Sequence, residues 1–271
     1  ATVSGKLNIQ SGGSVSIANA FMSTGEMTIN GGGVLQSWGG SNYSNEISYA
    51  SGAKINISSQ GKIIIGTGTA ITGTNLNEYA TGANNVWSNG AVFAWNSTTP
   101  LPTSGLSYFP GIAPSVKPLL VIDNTGASMG GSGSTVINGI LSVSSSFSLT
   151  GSGSKTIRDG ISGNTTIMIP ASSGPVVISG TAPILGGSNL TIITDKSISI
   201  PNGLRIPADS SVRIITTTGS VFSGKTTSDI VIDGVMDIGT ATIDNSSGSV
   251  TINGTLKTAH PNGLEGGTIN T

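Results

Sequence analysis

The chain has 271 residues, 41 of them glycine, with 8% charged residues, 4% aromatics and a formal net charge of −1. Disordered chains of low hydrophobicity normally carry high net charge, so this balance excludes ordinary disorder. Eleven Lys+Arg against 12 Asp+Glu, thinly spread, leave no basic stripe to neutralise phosphates, which excludes nucleic acid as a partner.

There is no cysteine, so disulfides and thiolate metal sites are excluded, and the composition fits export from a bacterium. No run of 18 apolar residues occurs, so no helix crosses a membrane. The chain opens directly on a strand-like pattern, Ala1-Thr-Val-Ser-Gly-Lys-Leu-Asn-Ile9, without a charged and then apolar leader. That opening fits a removed signal or a segment of a longer protein.

From the first residues a small unit recurs: Gly, one variable residue, then apolar–x–apolar. It reads Gly5-Lys-Leu7-Asn-Ile9, Gly13-Ser-Val15-Ser-Ile17, Gly25-Glu-Met27-Thr-Ile29 and Gly61-Lys-Ile63-Ile-Ile65. Strict alternation predicts strands with one buried face, and the preceding Gly supplies a tight corner. Leu7 to Met27 and Val15 to Leu35 are each 20 residues; Met27 to Ile55 and Leu35 to Ile63 are each 28. The two strands shift together, as if one coil had gained eight residues within Trp38–Ala50, a Ser/Asn/Gly-rich loop.

The segment Glu78–Thr125 breaks the step. It holds Trp87, Trp95, Tyr108, Phe109 and five of the 11 prolines, a density that excludes central strands until Leu119-Leu-Val-Ile122. It reads as a long loop excursion folded against the rod, its aromatics burying apolar surface. The sharper alternative is carbohydrate binding, with Trp87, Trp95 and Tyr108 as stacking platforms.

Strand units return at Ile140-Leu-Ser-Val143, Phe147-Ser-Leu149, Ile167-Met-Ile169 and Val176-Val-Ile178, and near the end Ile192, Val212, Ile232 and Ile252 are again 20 apart. A constant period with short strands predicts parallel stacking of coils rather than a hairpin meander. The expected fold is therefore all-β: a right-handed parallel β-helix (β-solenoid) of about 20 residues per coil, with a long aromatic and Pro-rich loop excursion. One domain over 1–271 is expected, with 1–125 and 126–271 as the alternative division.

Candidate chemistry is sparse. The single histidine, His260 before Pro261, reads as a turn residue, and no Gly-x-Ser-x-Gly elbow accompanies it. Asp229, Asp233 and Asp237 are spaced by four and could serve a polysaccharide-cleaving solenoid, but they read as solvated turn residues. Metal and cofactor sites are not expected, since the Gly-Gly-x-Gly-x-Asp calcium repeat is absent.

Gly90-Ala-Val-Phe-Ala-Trp95, Tyr108-Phe-Pro-Gly111, Leu119-Leu-Val-Ile-Asp-Asn124, Thr135-Val-Ile-Asn-Gly-Ile140, Lys155-Thr-Ile-Arg-Asp-Gly160 and Thr258-Ala-His-Pro-Asn-Gly-Leu-Glu-Gly266 follow one another along residues 85–271. In that order they resemble segments of large repetitive surface proteins of Bacteroidetes-type bacteria, which carry a C-terminal sorting domain for type IX secretion. The resemblance implies export, cell-surface display and an adhesive or fibre role, and brings no catalytic residues.

The functional expectation is thus a structural or adhesive module of an extracellular, surface-exposed or fibre-forming protein, not an enzyme. Its expected partners are a second copy or an adjoining solenoid domain stacked head to tail, and surface glycans. The alternative is a carbohydrate-binding or polysaccharide-degrading β-helix.

Overall fold

The computed structural model describes residues 2–3, 6–17, 21–23, 26–37, 47–49, 54–65, 85–96, 101, 106–223, 229–244, 248–260, 264–265 and 268–270. Among them there are strands and turns and no α-helix, as the abundance of Gly, Val, Ile and Thr dictates. Every strand pairing is parallel.

The strands stack into three ladders, one per face of a coiled rod. Face 1 is a single sheet of twelve strands running from Ser14–Ile17 to Thr268–Asn270. Face 2 supplies the strand that precedes it in each coil. It consists of a four-stranded sheet (Lys6–Ile9 to Val86–Trp87) and an eight-stranded sheet (Ser107–Tyr108 to Leu264–Glu265). Face 3 precedes face 2, with three strands (Thr2–Val3 to Ile47–Tyr49) and then seven (Ser128–Met129 to Thr255–Lys257). At ~4.8 Å per rung, twelve rungs span on the order of 50 Å. Face 1 passes position 125 without interruption, since Leu119–Ile122 pairs with Ile140–Val143.

The core is built by repetition of one strand position. On face 1, Leu35, Ile63, Phe93, Leu120, Leu141, Ile161 and Leu185 stand on successive rungs, each at most 1% exposed. Each such side chain contributes roughly 1.5–3 kcal/mol by leaving water. The alternate positions point outward, for example Ser142 beside Ser162. Corners are tied coil to coil by polar side chains: Ser154 Oγ donates to Ser134 Oγ at 2.9 Å, Ser188 Oγ to Asn164 Oδ1 at 2.9 Å, and Asn253 Nδ2 to Asp233 Oδ1 at 2.8 Å.

The step varies more than the sequence suggests. Leu7 faces Met27 and Val15 faces Leu35 at 20 residues, and Met27–Ile55 and Leu35–Ile63 follow at 28, as the spacing predicts. Most of the Trp38–Ala50 stretch itself lies outside the described residues, but Ile47–Tyr49 within it is a face-3 strand paired with Phe21–Ser23, which corrects the loop reading there. Elsewhere the step runs from 19 (Ser249–Thr268) to 30 (Ile63–Phe93). The series Ile192, Val212, Ile232, Ile252 is not one ladder. Ile192 faces Ile214 and Leu190 faces Val212 on face 3, whereas Ile232 faces Ile252 on face 1. Aliphatic residues recur at every second position of each strand, so a chance interval of 20 arises between different faces.

Glu78–Thr125 does depart from the 20-residue step, with rungs of 30 and 27 residues, but Trp87, Phe93, Trp95 and Tyr108 are not on a side loop. Val86–Trp87, Val92–Trp95 and Ser107–Tyr108 are strands of successive coils. The expectation of no strand before Leu119 is therefore corrected. Pro110, Pro114 and Pro118 fall between strands, where their missing N–H breaks no ladder bond.

Candidate functional site

Among the described residues, the face-2 ladder is interrupted in the middle of the rod. Face 2 stops at Val86–Trp87 and resumes at Ser107–Tyr108, and no pairing joins these two strands. Face 3 is represented among the described residues by strands up to Ile47–Tyr49 and from Ser128–Met129 on, with a bridge from Leu101 to Met129; residues 66–84, which lie between them, are outside the described residues. Among the described residues, face 1 carries an unbroken backbone ladder across this interval.

Aromatic rings fill the core at this level. The Trp87 ring lies edge-on to Phe109 with centroids 4.7 Å apart, and to Phe93 at 6.5 Å. Tyr108 lies 6.3 Å from Phe93 and 6.5 Å from Phe109. Burial holds the Tyr108 hydroxyl protonated far into the alkaline range.

This placement corrects the stacking expectation. Trp87 is 3% exposed, Trp95 and Tyr108 0%. A sugar ring needs an open aromatic face, and all three faces are spent on the core. The reason lies in strand parity: Phe93 and Trp95 occupy the rungs above Ile63 and Ile65, the inward positions.

Three features at the gap were not legible in the sequence. Phe109 has a left-handed backbone, φ 55°, followed by Pro110 and by Gly111 at φ 72°, so the chain turns where the next rung would have paired. The Pro-Gly dipeptide is the only signal of it. The Trp87 Nε1–H is buried without a hydrogen-bond partner. Trp87 also lines a concavity of about 350 Å³, together with Asn85, Val86, Pro110–Ala113 and Val116. Val86 is 52% exposed there, and Asn85 Oδ1 accepts the Ile55 N–H at 3.2 Å.

The acidic candidates do not converge. Asp229 accepts the Ser249 hydroxyl and N–H before the face-1 strand Ile230–Ile232. Asp233, after that strand, is held by Arg205 Nε at 2.7 Å and Asn253. The Asn253 hydrogen bond, then Arg205, keeps its carboxyl below the usual carboxylate range. Asp237 ends the face-3 strand and lies 3.9 Å from Arg213. His260 follows Thr258, whose Oγ1 accepts its backbone N–H at 3.1 Å.

Among the described residues no three His, Asp or Glu side chains are grouped to hold a metal ion, and no helix is long and apolar enough to cross a membrane. One buried cation is structural. Lys155 is 1% exposed and donates to the carbonyls of Gly151 and, at 2.7 Å, Gly153. Burial first, and Lys196 second, lower its pKa.

No family model matches the chain, and neither a curated protein nor a solved structure matches it.

Proposed function

We propose that the chain is a structural, adhesive rod segment of an extracellular surface or fibre-forming bacterial protein, without catalytic activity of its own. The observation that carries this reading is the continuity of the twelve-stranded face 1, locked coil to coil by corner hydrogen bonds, beside acidic side chains that are each engaged separately. Such a ladder supplies length and stiffness, since each coil contacts only its neighbours. Surface display and export by type IX secretion rest on the sequence resemblance alone.

The partners in this proposal are other solenoid coils. Ser14–Ile17 and Thr268–Asn270 are the edge strands of face 1, and an open parallel edge accepts a further strand. A copy of this chain or an adjoining domain would extend the rod head to tail, leaving its sides to meet surface glycans.

Electron microscopy of the purified chain across a concentration series tests the assembly, with elongation into end-to-end rods expected and compact, concentration-independent particles contradicting it. A polysaccharide panel tests the rest. No release of reducing ends is expected; release abolished by Asp233→Asn would replace the structural reading with the depolymerase one.

A further inference from the structure

The mid-rod gap gathers three departures from the regular coil: an unpaired step between two face-2 strands, an unpartnered buried donor and an open concavity. Each has a structural cost, and such costs concentrate where a protein binds something.

We propose that this concavity is a binding site for a small, uncharged organic molecule with an apolar body and one accepting oxygen, the oxygen taking up the Trp87 Nε1–H. Its size lies at the lower end of small-molecule sites. The walls are the side chains of Val86, Trp87, Pro110, Ile112, Ala113 and Val116, so the complementary surface is aliphatic or aromatic. No charged residue lines it, and between Lys62 and Lys117 the only formal charge in the sequence is Glu78. Arg158 donates to the carbonyl of the lining residue Val116 but is paired with Asp159, so an ion entering here would lose its hydration without a free counter-charge, which selects a neutral ligand.

The donor lies beneath the wall, not on its surface, because the indole nitrogen is buried. Reaching it requires the Phe109–Gly111 turn to move aside from the Trp87 ring it covers. That turn lies outside any ladder, so displacement breaks no sheet pairing, and its cost is the uncovering of the buried Phe109 ring. The ligand thereby satisfies a donor that the empty site leaves unpaired. This inference does not depend on the rod's adhesive role.

Acetanilide, which carries an amide carbonyl on a ring, is the probe. Propylbenzene lacks the acceptor and benzoate adds a charge. The three tryptophans give three indole N–H resonances, and Trp87→Phe identifies the relevant one. Acetanilide should shift it saturably, with propylbenzene roughly three- to tenfold weaker, the worth of one hydrogen bond, and benzoate inactive. Ala113→Trp and Val86→Arg, both at exposed positions of the wall, should weaken acetanilide at least tenfold while leaving the melting curve unchanged. Absence of a saturable shift, equal binding of propylbenzene or benzoate, or wild-type affinity in both wall variants would overturn the assignment.

Discussion

Gly153→Ala isolates the stacking of one coil on the next. A Cβ built on Gly153 falls 2.0 Å from the Gly133 carbonyl oxygen, and one on Gly174 falls 2.3 Å from that of Gly153. These glycines have ordinary backbones, so the conflict is purely between coils. Ordinary contact begins near 3.4 Å; the corner must therefore open by about 1.4 Å. Overpacking of this kind costs about 1–3 kcal/mol. The opening also strains the Gly153 N–H bond to Gly131 O (3.1 Å) and the Lys155 ammonium bond to Gly153 O (2.7 Å), which together add about 1–3 kcal/mol. We expect a loss of about 2–6 kcal/mol, or roughly 4–24 °C in melting temperature, followed by circular dichroism in the β region. Gly219→Ala is the matched control: nothing lies within 4 Å of its built Cβ, so the change should be neutral or slightly stabilising. Equal melting of the two variants would refute the close stacking of coils at 133, 153 and 174.

Two further perturbations test the core and the corner. Leu141→Asp places a charge in the fully buried ladder and should cost at least about 4 kcal/mol or abolish folding, whereas Ser142→Asp, one residue on and facing outward, should stay within about 1 kcal/mol of wild type; comparable losses would refute the strand parity. Asp233 has a folded pKa below its unfolded value, so its stabilisation is present above about pH 4 and disappears as pH falls through the lowered folded value. The melting gap between wild type and Asp233→Asn should therefore narrow from pH 7 to pH 2–3, and a gap constant with pH would contradict the Arg205 and Asn253 contacts.

Much of the rod can be read from alternation and spacing, because a solenoid buries the same strand position in every coil. Leu7 with Met27 and Leu35 with Ile63 are found this way, and the joint shift to 28 shows a corner insertion that leaves both strands in register. The method fails where two faces carry similar residues, as with Ile192 and Val212, since spacing alone does not say which face a residue belongs to. It also misreads Trp87, Trp95 and Tyr108: composition suggests a surface patch, whereas parity with Ile63 and Ile65 places Trp95 inward. The unpartnered indole N–H and the Phe109 turn have no sequence signature beyond Pro110-Gly111, because both arise from how consecutive coils meet.

Parallel stacking of coils is tested most directly by cross-linking, which the absence of native cysteine makes unambiguous. Ser142 and Ser162 face each other across face 1 on neighbouring rungs, where the ~4.8 Å strand spacing lies within the reach of a disulfide. Ser142→Cys with Ser162→Cys should close rapidly on mild oxidation, and Ser142→Cys with Ser199→Cys, which stands on face 2 beside Val177, should not. Failure of the first pair to close, or equal closure of both, would contradict the solenoid.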